Sequence, residues 1–388
     1  MARPHFKGYI RKNDTVGVRN HVAVIASTAC SRHVAEQIAR ASRLAVAITH
    51  EHGCSQVGDD AAQTQRTLAG TGRNPNVAAA LVVGLGCETI SAPALAQDIA
   101  DTGKPVRCLV IQEEGGTKKA IAKGKKLLAE MVKRAQSLKR RKVGLDRLIL
   151  ATECGGSDAF SGLTANPAVG LVSDRLVGAG GTVILSETTE FVGAEHVLAK
   201  RGRTKGIGRK LVRMTEQVVR EALALGVDLV GANPTPGNLV GGITTLEEKS
   251  LGCIFKGGTT RIEEVLGYAY SPTRRGLVVM DTPGNDVSSV TGMVAGGAQA
   301  VVFTTGRGTP TGHPIAPVIK VATNTGMFRR MRDNMDVNAG TAIGGRETIR
   351  DVGDKLFDLL LRVASGRLTK AERLGHREFA IQRLVRFF

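Results

Sequence analysis

Short aliphatic and β-branched runs separated by helix-length segments predict an α/β protein built from two Rossmann-like units with largely parallel sheets and glycine-rich strand-end loops. Two further observations support this fold class. Glycine supplies 48 of the 388 residues, and most of the excess falls just after the predicted strands, where open α/β sheets place their ligands. The chain is also long enough for two ordinary domains.

In the first half the strand-like runs are Val22 to Ile25, Ala45 to Ile48, Leu81 to Val83 and Val106 to Ile111. Each is too short for a helix and too apolar for a loop, the mark of a strand buried on both faces. From Lys118 to Arg147 the chain carries twelve Lys/Arg against two Asp/Glu, yet Ile121, Leu128, Met131, Val132 and Ala135 keep near-helical spacing. This predicts an amphipathic helix followed by a basic linker, Lys139-Arg140-Arg141-Lys142. The linker sets the expected boundary, with a first Rossmann-like domain over 1–142 and a catalytic α/β domain over 143–388. The second half repeats the pattern with Leu148 to Ala151, Val183 to Leu185, Leu277 to Met280, Val301 to Phe303 and Val318 to Val321. A second basic stretch, Lys200 to Arg213, leads into a helix through Leu225.

Composition removes several function classes. With 42% hydrophobic and 23% charged residues the chain is not a disordered segment. Its longest apolar runs, such as Val77 to Leu85, cover about half of the ~20 residues that a membrane span needs, and no signal peptide is evident. Six cysteines without a dense framework fit a reducing compartment, so a cytoplasmic protein is expected. The net charge of +18 points to anionic partners. Nucleic acid is the weaker choice, because the basic residues are not interleaved with stacking aromatics and only 3% of the chain is aromatic.

The chemistry-bearing residues sit in the glycine loops. None of these loops ends in Gly-Lys-Ser/Thr or carries the G-x-G-x-x-G spacing, so a nucleotide cofactor is not indicated. His50 follows a strand and is the candidate general base. Glu88, Asp158 and Glu195 are candidate catalytic carboxylates, with Glu187 also in such a turn, although carboxylates there serve equally as helix caps. Ser157, Asn238, Asn285, Arg307 and Lys249 are candidate substrate-binding residues. Arg307, between two glycines, is placed to grip a carboxylate with two bonds, and Lys249 and Lys320 offer single cations. Cys54, Cys87, Cys154 and Cys253 each adjoin a glycine. Such thiols either converge on a metal or fill small core gaps.

Longer motifs carry a family resemblance. Gly53-Cys54-Ser55-Gln56, Leu85-Gly86-Cys87-Glu88, Glu153 to Asp158, Ser161 to Pro167, Gly241 to Glu247, Lys249 to Cys253, Pro283-Gly284-Asn285-Asp286 and Thr305 to Pro310 resemble the large catalytic part of the altronate and galactarate dehydratases. Gly193-Ala194-Glu195-His196, Ala199-Lys200-Arg201, Asn74-Pro75-Asn76-Val77 and Gly375 to Phe379 resemble the large subunit of sulfolactate sulfo-lyase, from the same superfamily. The resemblance implies a hydro-lyase that removes the α-proton of a sugar acid and expels the β-hydroxyl to give a 2-keto-3-deoxy acid. The alternative is release of sulfite from sulfolactate. Hydroxide needs protonation or a metal to leave, whereas sulfite does not. In the resemblance the dehydratases share Cys54, Cys87 and Cys253 with this chain and the sulfo-lyases do not, which favours dehydration and implies iron, as Fe2+ or an iron–sulfur cluster, on these three thiols. A small β-rich (SAF-like) subunit on a separate chain and an oligomeric assembly are the further expectations.

Overall fold

The computed structural model describes residues 4–387. Fourteen strands run along it: β1 (His5–Ile10), β2 (Val16–Gly17), β3 (His21–Ala26), β4 (Ala45–Ile48), β5 (Val77–Gly84), β6 (Val106–Val110), β7 (Arg141–Gly144), β8 (Ile149–Cys154), β9 (Thr182–Leu185), β10 (Ile262–Leu266), β11 (Gly276–Met280), β12 (Ala300–Thr305), β13 (Val318–Ala322) and β14 (Val337–Asn338). They form a four-stranded sheet in the order β4-β3-β5-β6, a seven-stranded sheet in the order β10-β11-β9-β8-β12-β13-β14, and a small sheet β2-β1-β7. Every pair in the two larger sheets is parallel. The α/β class with largely parallel sheets therefore stands, and each of the nine predicted runs falls on a strand, with Ile111 and Leu148 one residue outside β6 and β8.

Parallel pairing needs helical crossovers, which cover both faces of each sheet. The helix Thr117–Ser137 shows how the basic sequence is accommodated: Ala120, Gly124, Leu128, Met131 and Ala135 are buried at three- and four-residue spacing, and the lysines occupy the other face. The basic run after it is not a free linker. Arg141 and Lys142 belong to β7, which pairs antiparallel with β1, and Arg140 stacks over Tyr9 and donates to the carbonyls of Lys7 and Val18. No described helix is long and apolar enough to cross a membrane.

One core cluster draws on both large sheets, joining Ile25 and Val82 of the first to Val278 and Val301 of the second. The helices Gly58–Arg73 and Asp286–Ala295 pack there; a Cβ on Gly70 would lie 2.3 Å from the Ala295 carbonyl oxygen, so this crossing depends on glycine. Beside it, the Asn74-Pro75-Asn76 motif bridges the units. Asn74 Nδ2 donates to the carbonyls of Val294 and Ala298, and Asn76 Nδ2 to those of Gln299 and Ile315. Asn76 Oδ1 accepts from the Val18 and Arg19 amides. Arg19 in turn pairs with Glu372 at 2.6 Å, which fastens the late helix Lys370–Leu374.

Candidate active site

The strand ends of the two parallel sheets carry different chemistry. At the four-stranded sheet, His50 is buried after β4 with both ring nitrogens engaged by backbone. Nε2 donates to the Ala26 carbonyl at 2.9 Å and Nδ1 accepts from the His52 amide at 3.0 Å. Burial, the largest influence, lowers its pKa to about 4. Both ring nitrogens are thus engaged by backbone, so this geometry does not itself offer the free nitrogen that the general-base reading of His50 needs. Glu88 likewise shapes a loop: its carboxylate accepts from Ser27 Oγ at 2.8 Å and from the Leu85 and Gly86 amides. Cys54 and Cys87 are exposed, each with a polar neighbour at 3.8 Å, Ser55 and Gln112 respectively.

The seven-stranded sheet ends in a buried charge network. Glu153 and Cys154 finish β8. Glu187 and Glu190 flank the turn after β9, and Lys249 and Cys253 face them from the helix Leu246–Ile254, with Lys256 just beyond. Lys256 is fully buried and puts its Nζ 2.6 Å from Cys154 Sγ, 2.9 Å from Glu187 and 3.5 Å from Glu190. Burial opposes the Lys256 ammonium, but Cys154 and Glu187 raise its pKa well above the ordinary value. Burial also opposes ionisation of Glu190; Lys249 and Lys256 overcome it and hold this carboxyl low. Glu187 goes the other way, pushed to about 7 by burial and by the charge of Glu190. Glu187 occupies the left-handed region at φ 73°, a strained conformation for a side chain of this size, held by its backbone N–H donating to Thr282 Oγ1 and by its carboxylate accepting from Lys256. Cys154 and Cys253 lie with sulfurs 3.3 Å apart, both thiols raised in pKa.

In front of this network lies a cavity of about 210 Å³ whose walls include Ser157, Asp158, Lys249 and Cys253. Leu163 and Phe255, both largely exposed, stand at its solvent side. Lys249 joins cavity to network: its ammonium lies 3.2 Å from Glu190, which together with the two cysteines outweighs burial and keeps it protonated. Asp158 accepts from Ser161 Oγ at 3.0 Å, Thr323 Oγ1 at 2.8 Å and Asn324 Nδ2 at 2.9 Å, so it ties the β8 and β13 loops together while facing the cavity. Asn238 holds Ser157 in place by donating to its carbonyl at 2.9 Å.

The remaining candidates are distributed elsewhere. Asn285 is a helix cap, its Oδ1 accepting from the Ser288 amide. Arg307 is exposed in the β12 loop, and its backbone amide donates to the Gly156 carbonyl. Glu195 opens the short helix Glu195–Lys200 and is not among the residues lining the cavity. Cys253 meets Cys154, and among the described residues Cys54, Cys87 and Cys253 do not bring their sulfurs within 4.8 Å of one another, the spacing that one shared ion needs. Cys154, Glu190 and Cys253 do bring ligand atoms within 4.8 Å of one another, but the Lys256 ammonium already lies against Cys154 and Glu190. Sequence reading gave no role to Lys256 or Glu190; Lys256, next to the exposed Phe255, has no local pattern that marks it as buried.

The comparisons with known proteins agree with this architecture. The family described as D-galactarate dehydratase/altronate hydrolase, second domain, matches residues 8–136, and D-galactarate/altronate dehydratase, C-terminal, matches residues 145–386. The chain is 39% identical to (2R)-sulfolactate sulfo-lyase subunit beta of Chromohalobacter salexigens, over 98% of this chain and 97% of that protein. It is 36% identical to altronate dehydratase of Bacillus subtilis, over 97% of this chain and 77% of the relative. With galactarate dehydratase (L-threo-forming) of Escherichia coli it shares 40% identity, over 78% of this chain and 59% of that protein. The chain belongs to the D-galactarate/altronate dehydratase family, whose named members here are dehydratases and lyases.

Proposed function

We propose that this chain is a hydro-lyase that dehydrates a sugar acid of the altronate or galactarate type to a 2-keto-3-deoxy acid. The observation that carries the reading is Lys249, a fixed ammonium in the wall of a small cavity at the strand ends, backed by Glu190. A substrate carboxylate set against Lys249 has its charge neutralised, which acidifies the neighbouring C–H and stabilises the enediolate formed when that proton leaves. Asp158 and Glu248 are the carboxylates of the cavity wall; Glu248 accepts from the Thr244 amide and hydroxyl, and Asp158 takes the α-proton in this scheme, with Ser161, Thr323 and Asn324 fixing its orientation. Cys253, kept as a thiol and facing the same space, supplies the proton that turns the departing hydroxide into water. No step is routed through iron, since among the described residues Cys54, Cys87 and Cys253 do not lie within the 4.8 Å of one another that a single shared ion needs.

One observation favours a second reading. The chain matches the sulfo-lyase subunit over nearly its full length, so sulfite release from sulfolactate shares the proton-abstraction step and replaces hydroxide with a better leaving group. The name "subunit beta" also supports a separate small partner chain for this protein. The test is a steady-state assay of galactarate, altronate and sulfolactate, alone and with the small subunit co-expressed. Keto-acid formation from a sugar acid supports dehydration, and sulfite release without sugar-acid turnover replaces it by the sulfo-lyase reading.

A further inference from the structure

Among the six cysteines, Cys154 and Cys253 are buried while Cys30, Cys54 and Cys87 are exposed. Their sulfurs are 3.3 Å apart, and a movement of little more than 1 Å would bring them to the bond length of about 2 Å. Cys154 is the last residue of β8, and Cys253 lies in the final turn of the helix Leu246–Ile254, so each thiol sits at the end of its element. Access and proton flow are also in place. Cys253 lines the cavity of about 210 Å³ whose wall also includes the exposed Leu163 and Phe255, a space larger than a peroxide molecule. The Cys154 thiol donates to Glu190 Oε2 at 2.8 Å, and Lys256 Nζ stands 2.6 Å from the sulfur to compensate the thiolate left behind.

We propose that Cys154 and Cys253 are a reversible oxidation site that closes to a disulfide on exposure to hydrogen peroxide and thereby disables the cavity. The Cys253 sulfur attacks one peroxide oxygen as its own proton passes to the departing oxygen; the O–O bond breaks, Cys253 becomes a sulfenic acid, and one water leaves. Cys154 attacks the Cys253 sulfur as its proton moves along its hydrogen bond to Glu190. The S–O bond breaks as the S–S bond forms, and the expelled hydroxide takes the proton from Glu190 as a second water. Two thiols and one peroxide thus give one disulfide and two waters. The bond removes the thiol that faces the cavity and the Cys154 hydrogen bond to Glu190, the carboxylate that holds Lys249. Formation of the crosslink is independent of the substrate assignment; only the loss of turnover rests on the proposed function.

The test uses the full chain. The exposed thiols are alkylated under native conditions, the protein is treated with hydrogen peroxide, and a non-reducing digest is read by mass spectrometry. The expected product is a Cys154–Cys253 peptide pair two hydrogens lighter than its thiol form, reversed by dithiothreitol and absent from Cys253→Ser and from Cys154→Ser. The use of two variants guards against one failing to fold. Both thiols remaining free at peroxide levels that oxidise free cysteine would overturn the proposal. So would a Cys253 sulfinic acid with Cys154 intact, or a bond from Cys154 to Lys256. Turnover that falls in proportion to the crosslink and returns with dithiothreitol supports the coupling to the cavity; full turnover of crosslinked protein overturns the coupling alone.

Discussion

Lys249 reaches Glu190 at 3.2 Å from within the cavity wall, and Glu190 reaches the buried Lys256 at 3.5 Å on its other side. One carboxylate therefore fixes two ammonium groups, of which only Lys249 faces the cavity. Replacing Lys249 by Gln keeps a hydrogen-bonding side chain but removes the charge that neutralises a substrate carboxylate in the transition state. We expect kcat/KM to fall by roughly 10²–10³, the scale for loss of one preorganised electrostatic contact. Steady-state kinetics measures this, with the melting temperature as a control. Unchanged kcat/KM in a folded variant would move the anion site away from Lys249.

His313 predicts the acid response of the fold. It is buried against Phe379, its Nδ1 accepts from the Ile315 amide, and burial lowers its pKa to about 3 from the ordinary 6.5. Because its folded pKa is depressed, its contribution is intact above pH 6.5 and declines as the pH falls toward 3, with the unfolded chain binding the proton first. At pH 5 this costs about 2 kcal/mol relative to pH 8. Denaturant unfolding of the wild type should lose about that much more between pH 8 and pH 5 than His313→Gln does; parallel pH profiles would sink the idea.

The strands that the sequence reveals are those whose runs are apolar on both faces, such as Leu277 to Met280, every residue of which is buried. The missed strands are the ones whose pairing is set by tertiary contact. β7 reads as a basic linker because Arg141 and Lys142 face solvent while their backbone pairs with β1, and β14 has only two residues. At the site the same division holds. Ser157, Asp158, Lys249 and Cys253 stand in local glycine or helix-start motifs and meet at one cavity. Lys256 and Glu190 acquire their roles only from each other and from Cys154, contacts that span 66 and 102 positions of the chain and leave no local pattern. Asn285 looked like a ligand because a loop asparagine and a helix cap share the same residue preferences.

Arg19 and Glu372 join segments 353 positions apart, with the guanidinium also donating to the carbonyls of Val363 and Arg367. Both side chains are largely removed from water, so removing one leaves a buried charge without its partner. Glu372→Gln should destabilise the fold by about 3 kcal/mol, and Arg19→Met with Glu372→Leu together by clearly less than the sum of the single changes. A double-mutant cycle by denaturant titration measures the coupling. Additive effects would show that the two residues stabilise the fold separately.

His50 gives the sharpest test of where the reaction takes place. A general base after β4 needs a free nitrogen, but Nε2 is spent on the Ala26 carbonyl and Nδ1 on the His52 amide. Glutamine carries both a donor and an acceptor and can meet the same two backbone groups, yet it has no basic nitrogen. His50→Gln should therefore keep kcat within about threefold of wild type, and at neutral pH it should lose about 1 kcal/mol of stability from imperfect replacement of the two bonds. A catalytic base at this position would instead cost roughly 10²–10⁴ in kcat. A loss of that size, in a variant whose unfolding midpoint is near that of wild type, would return the chemistry to the four-stranded sheet and take it from Asp158. Measuring kcat for His50→Gln and for Asp158→Asn side by side separates the two sheet edges, because only the second substitution touches the cavity that Lys249 and Cys253 share.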